Sequence, residues 1–387
     1  MAKPMTFSIK ASVLVVLLIS VVFSLRKPKI PTEKPFNLSG SSVFLGFPFE
    51  QENINEASSL EYDFYRDTCP DAETIVRSTM ARIYSDHRDV PAAILRLFFH
   101  DCFIKGCDAS VFLDDSNGNK SHRIERDAIP NKTLKGFDKI DMIKEELEKV
   151  CLGVVSCADT IALATRDGIV LAGGPFYPVF TGRRDSLRSY FEEALAEIPR
   201  PDGNLTQTLN LFALREFSER ETITLLGGHN IGKIGCEFIR GRLYNFSGTG
   251  QPDPSIADFL EQMRRSCPLN KSSDSDGSPA LMRSRGMSES TLGMGDYQEL
   301  SSSISSGAGF DTHYYQSLLR GRGLLFSDQQ LMADDRTAML VRSYSMGNGS
   351  TFRVDFARVM VKLSNLGALT GSEGQVRINC SRLASSS

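Results

Sequence analysis

The sequence predicts an all-α fold, on three observations. Apolar residues recur at three- and four-residue spacing, as at Ile140, Ile143, Leu147 and Val150, which lines them up on one helical face. Helix-start and helix-stop signals flank several such stretches. Strand-like alternation is scarce, leaving room for no more than a small hairpin or two.

The elements follow in chain order. Lys10 precedes fifteen uncharged residues, Ala11 to Leu25, and Arg26-Lys27 follow. That run is short of the ~20 apolar residues a membrane span needs, so 1–25 reads as a signal peptide with Val22-Phe23-Ser24 as a cleavage site. An uncleaved signal anchor is the alternative, because Arg-Lys-Pro-Lys seldom follows a cleavage site directly. Residues 26–60 read as a linker broken by Pro28, Pro31 and Pro35. The main domain spans 61–387. Pro70 and the acids Asp71 and Glu73 open a helix. Leu95 to Phe103 continues the helical pattern, with Arg96 and His100 on one face and Phe99 beside them. Val154 to Leu171 reads as a buried helix stopped by Gly173-Gly174-Pro175. Glu216 to Leu226 reads as another, ended by Gly227-Gly228. Phe352 to Leu366 is the last clear helix. Residues 271–309, rich in Ser, Gly and Met, read as a flexible insertion.

Composition narrows the classes. A net charge of −3 offers no basic field for nucleic acid. Eight cysteines without a Cys-x-x-Cys argue against zinc ribbons and thioredoxin-like sites. Four disulfides follow if the chain enters an oxidising compartment, though spacing leaves their connectivity open. Sequons at Asn37, Asn119, Asn131, Asn204, Asn245, Asn270 and Asn348 suit a secretory route. Taken alone, a helical Arg-His pair is more often a salt-bridging surface face, and a Gly-Gly-His more often a turn. Set among Leu95, Leu97, Phe98 and Phe99, however, Arg96 and His100 suit a buried site. Together with the remote His229 they supply a permanent cation, an acid–base imidazole and a free imidazole.

From Leu60 onward the chain resembles the class III (secretory plant) haem peroxidases. The matching text includes Phe64-Tyr65, Thr68-Cys69-Pro70, Arg96 to Leu113, Val155 to Asp159, Gly182-Arg183-Arg184-Asp185, Arg242 to Phe246 and Ser327-Asp328-Gln329. The resemblance implies two helical subdomains sandwiching haem b, H2O2 as oxidant and small phenols as reductants. His100 would move the peroxide proton and Arg96 would stabilise the departing oxygen. Phe99 would wall the site, and Asn131, with Glu125 linked to it, would orient His100. His229 would bind the haem iron, with Asp328 as its acceptor. His87, His122 and His313 match no such position.

The resemblance also implies a distal Ca2+ held by Asp101, Ile104, Gly106, Asp108 and Ser110, with Glu125 contributing indirectly. A second, proximal Ca2+ site is depleted: Asn230 stands where the family has Thr, and one acid before Phe310-Asp311 is missing, leaving Asn230 and Asp311. Implied disulfides are Cys69–Cys151, Cys102–Cys107, Cys157–Cys380 and Cys236–Cys267. Reductants would meet Ile129, Pro199 and Phe238, and Arg200 would favour anionic phenols. A secreted monomer is expected, touching a membrane only if the N-terminal segment stays uncleaved. A wall- or membrane-tethered haem protein with weak turnover is the competing reading. A cofactor-free disulfide-rich binding protein is the third.

Overall fold

The computed structural model describes residues 60–114, 123–269 and 303–384. All of them fall within one unit of the chain. The expected signal segment 1–25, nearly all of the linker and most of the insertion lie outside the described residues.

Thirteen helices are described. They are α1 (Ala72–Asp86), α2 (Val90–Cys102), α3 (Phe137–Val150), α4 (Cys157–Leu171), α5 (Phe191–Glu197), α6 (Leu205–Ala213), α7 (Glu219–Leu226), α8 (Cys236–Tyr244), α9 (Leu260–Ser266), α10 (His313–Leu319), α11 (Phe326–Gln329), α12 (Asp335–Ser345) and α13 (Ser350–Ser364). Two strands, β1 (Ile231–Gly235) and β2 (Ser303–Ala308), pair antiparallel.

Helix α4 is the axis of the fold. Every residue from Cys157 to Ile169 is buried, and the charges among them are paired, Asp159 with Arg183 and Arg166 with Asp167, as buried charges must be. It packs against α1, α2 and α3. Its N-terminus is capped by the Ser156 side chain, which accepts from the Asp159 amide. Asp185 adds a carboxylate there, accepting from the Cys157 and Ala158 amides at 3.2 and 2.9 Å, where negative charge suits the helix dipole. Asp159 turns the other way. It accepts from Tyr65 at 2.6 Å and from the Arg183 guanidinium at 2.7 Å. These bonds explain two of the motifs as structural: they tie the chain on either side of α4 together.

Three helix starts differ from the sequence reading, for a common reason: caps and turn residues, not apolar onset, set the boundary. The buried helix begins at Cys157, behind its Ser156 cap. The helix expected from Glu216 begins at Glu219, because Glu216 is left-handed (φ 61°) and Ser218 with Glu221 forms a capping box. The last helix begins at Ser350, directly after the left-handed Gly349 (φ 74°).

The small β element is not a hairpin. β1 and β2 come from distant segments, paired Ile231 to Ala308 through Gly235 to Ser303. β2 also occupies part of the stretch read as a flexible insertion. Pairing between backbones needs no apolar alternation, so a Ser- and Gly-rich run concealed it.

Four disulfides are present: Cys69–Cys151, Cys102–Cys107, Cys157–Cys380 and Cys236–Cys267. Three of them close loops of 31 to 223 residues, for which about 2–5 kcal/mol each is typical.

Candidate active site

Helix α2 carries one imidazole. Leu97 and Phe98 anchor its inner face at full burial, and His100 is buried with them. His100 Nδ1 lies 2.7 Å from Asn131 Oδ1. The Asn131 amide has a defined orientation, because its Nδ2 donates to the Glu125 carbonyl at 2.8 Å. Asn131 Oδ1 can only accept, so His100 must carry its proton on Nδ1, which leaves Nε2 free to accept one. Burial, reinforced by the Arg96 charge, lowers the His100 pKa to about 3. The ring is therefore neutral at ordinary pH and available as a base.

Arg96, one turn earlier on α2, is held by three bonds. Nη1 donates to the Thr133 carbonyl and hydroxyl, each at 3.1 Å, and Nη2 donates to the Pro130 carbonyl at 2.9 Å. Its guanidinium also lies 5.8 Å from the centre of the Phe238 ring. Burial lowers its pKa to about 10, with Glu237 opposing; it remains a cation. Sequence reasoning missed Thr133 and Pro130, since no local pattern distinguishes a loop that accepts from a distant arginine.

The second imidazole sits in a single 3-10 turn, Gly227–Asn230, that continues α7 directly. Gly227 does not end the helix with a left-handed cap, as the sequence suggested. Its φ is −59°, and a Cβ there would fall 2.3 Å from Tyr315 Oη and 2.5 Å from Phe352 Cε2. The glycine is required for close approach. His229 Nδ1 lies 2.8 Å from Asp328 Oδ1, and the same oxygen accepts from the Tyr314 hydroxyl at 2.9 Å. Burial pulls the His229 pKa down, but the charge and hydrogen bond of Asp328 outweigh it and the net displacement is upward. Tyr314 was not foreseen; its partner is 14 residues away on another helix.

One cavity of about 310 Å³ brings these groups together. Its wall includes Arg96, Phe99, His100, His229, Pro199 and Phe238. That volume lies in the range of small-molecule and cofactor sites, and the wall is mostly apolar with a few convergent polar groups. The His229 side chain is 39% exposed, which is high for an imidazole so far inside the fold. Asn131 and Asp328 stand behind the two rings. Ile129 is 71% exposed and is not part of the wall; its neighbour Pro130 is. Arg200 lines the rim, but its guanidinium is engaged by Asp202 through two bonds of 2.8 and 2.9 Å. The expected pull on anionic phenols is thereby largely neutralised.

Beside His100, the 101–110 loop gathers buried oxygens. Asp101 Oδ2 accepts from the Ala109 amide at 3.0 Å, and Asp108 Oδ1 from the Ser110 amide at 3.0 Å. The Ser110 hydroxyl and Glu125 Oε2 are buried without a hydrogen-bond partner among the described residues. Burial raises the pKa of Asp101 well above the usual carboxylate range, with the Asp108 and Glu125 charges adding to it. Burial likewise raises Asp108 to about 6 and Glu125 to about 8. Buried acids favour a countercharge, and the buried Arg377 guanidinium, which donates to the Ala109 carbonyl at 2.6 Å, supplies part of it by opposing the rise at Asp108. Gly106 completes the loop, at φ 141° and against the Gly367 backbone. Among the described residues no three His, Cys, Asp or Glu side chains form a metal cage, so a cation here would draw on Ser110 and carbonyl oxygens as well. Glu125 reaches Asn131 through its backbone carbonyl, while its carboxylate accepts from the Tyr190 amide at 3.0 Å.

On the other side of the cavity the Asn230 and Asp311 atoms have partners of their own. Asn230 Nδ2 donates to the Asp311 carbonyl at 3.1 Å, and Asn230 Oδ1 accepts from the Tyr314 amide at 3.2 Å. The Asp311 carboxylate accepts from the His313 amide at 2.7 Å and also meets its ring.

Comparison with known proteins identifies the family to which the chain belongs. A family model described as Peroxidase matches residues 76–347. The chain is 42% identical to "Putative Peroxidase 48" of Arabidopsis thaliana, over 95% of each chain. It is 40% identical to Peroxidase 10 of the same plant, over 84% of this chain and 86% of that one. It is 40% identical to Peroxidase N1 of Nicotiana tabacum, over 83% and 89%.

Proposed function

The chain belongs to the plant haem peroxidases, and from that premise we propose that the cavity between His100 and His229 reduces H2O2 and oxidises phenols in two one-electron steps. The observation that carries this is the pairing: both imidazoles face one cavity, each with Nδ1 bonded to a positioned acceptor. Haem b, when bound, supplies the redox chemistry of peroxide reduction and donor oxidation.

His229 would hold the haem through Nε2, with Asp328 making the ring electron-rich. His100 would take a proton from peroxide at Nε2 and return it to the outer oxygen as water leaves. Arg96, fixed by Thr133 and Pro130, would stabilise the negative charge that develops there. Phe99 and Phe238 keep the wall apolar. Phenolic donors would enter at the rim beside Pro199 and Phe238, with Ile129 as an outer contact. Each of two donors gives up one hydrogen atom, and two waters result.

The loop oxygens of Asp101, Asp108 and Ser110, with the Ile104 and Gly106 carbonyls, would hold Ca2+ and so position the neighbouring His100. Glu125 would act through Asn131. The expected site of action is extracellular or in the cell wall. Among the described residues no helix is long and apolar enough to cross a membrane. N-terminal sequencing of the mature protein distinguishes a cleaved signal from an anchor.

The functional test is the optical spectrum of the full chain loaded with haem. A Soret band that responds to one equivalent of H2O2 is expected. His100→Leu should keep the band and lose the fast response; His229→Ala should weaken haem binding. A parent chain without a Soret band, or a His100→Leu variant as fast as the parent, would refute the reading.

A further inference from the structure

We infer that Asn230 clamps the iron-side histidine through hydrogen bonds within the chain, doing there the work that a bound cation does in the proteins it resembles. The inference rests on the reading of His229 as the haem ligand.

The bonds close a ring. Asn230 follows His229 directly and is fully buried. Its Oδ1 accepts from the Tyr314 amide, and the Tyr314 hydroxyl donates to Asp328, which accepts from His229 Nδ1. The chain between His229 and Asn230 completes the circuit. On its other side Asn230 Nδ2 donates to the Asp311 carbonyl. A cation needs oxygen lone pairs directed at one point. Here an amide N–H is aimed at that carbonyl, and the side-chain oxygen of Asn230 is already taken by an amide. A side-chain amide donates from Nδ2 and accepts at Oδ1, two separate atoms that reach two backbone groups at once; the Thr hydroxyl must do both through one oxygen, whose lone pairs suit a cation. The clamp also fixes Tyr314, and with it the second bond to Asp328. Asn230 and Tyr314 are thus positioning residues for His229.

A plain structural role for Asn230 at the end of its turn would leave the iron untouched, so the test reads the iron. In the haem-loaded full chain, Asn230→Ala should shift the ferrous iron–histidine stretching band, and added Ca2+ should not restore it. An unmoved band, or one that Ca2+ restores, overturns the inference. Calcium content provides an independent check. Asp311→Asn should leave the number of bound Ca2+ per chain unchanged; a fall by one overturns the inference.

A third readout needs no haem. Hydrogen exchange of the Tyr314 amide should be roughly tenfold faster in Asn230→Ala, the size expected for one lost hydrogen bond. Exchange at the parent rate overturns the inference. Tyr314→Phe separates the two halves of the clamp: the band should shift while exchange at position 314 stays at the parent rate. A parent chain that never binds haem would refute the proposed function, and the calcium count and amide exchange would still judge the clamp.

Discussion

Replacing Asn131 by Val removes the acceptor that sets the His100 tautomer. The side chain is buried and makes two bonds, 2.7 Å to His100 and 2.8 Å to the Glu125 carbonyl. Its loss leaves the His100 Nδ1–H unpaired in the interior, whereas the Glu125 carbonyl keeps the Ala128 amide at 3.1 Å. An unpaired buried polar group costs about 1–3 kcal/mol. On the imidazole, that cost falls on the one tautomer able to accept a proton at Nε2. At about 1.36 kcal/mol per decade of rate, reaction with H2O2 should slow by about 5- to 150-fold. The ceiling is the 10²–10⁴-fold typical of removing a general base outright. Stopped-flow mixing of haem-loaded protein with H2O2 measures this step, and a second mixing step with guaiacol measures donor oxidation. Only the first should change. Asn131→Asp retains an acceptor and should recover part of the loss. A slowing below about threefold, or an equal slowing of both steps, would refute the tautomer argument.

Other predictions concern the surroundings of the site. Asp108→Asn, or chelation of the parent, should release the loop cation, lower the melting temperature and slow peroxide reaction; calcium analysis with calorimetry checks this, and retention of the ion in the variant would count against the loop site. Gly227→Ala drives a methyl group onto Tyr315 and Phe352 and should destabilise the fold by about 1–3 kcal/mol, the usual penalty for overpacking. Thermal unfolding reads it, and an unchanged midpoint would contradict the close-approach argument. Asp202→Asn releases the Arg200 guanidinium at the cavity rim and should raise kcat/KM for a carboxylated phenol relative to a neutral one. No change in that ratio would show that the rim charge does not reach the donor.

Much of the site was legible because its chemistry is local. Arg96 and His100 lie one turn apart, so the helical period alone puts them on one face. The 101–110 loop concentrates its oxygens within ten residues. What escaped notice connects distant segments. Thr133 grips Arg96 across 37 residues, and Tyr314 shares Asp328 with a histidine 85 positions before it in the chain. Helix boundaries moved wherever a cap such as Ser218 outweighed the apolar pattern.

From the order of residues alone came the helical class, the two imidazoles, the guanidinium and the acidic loop, because each depends on residue type and short spacing. Only the tertiary structure decided that both rings share one cavity, that Arg200 is tied up by Asp202, and that Asn230 spends its amide on Asp311 and Tyr314. Those outcomes depend on which polar groups the folded chain brings within about 3 Å of each other, and hydrogen bonds at that range follow the packing of remote elements.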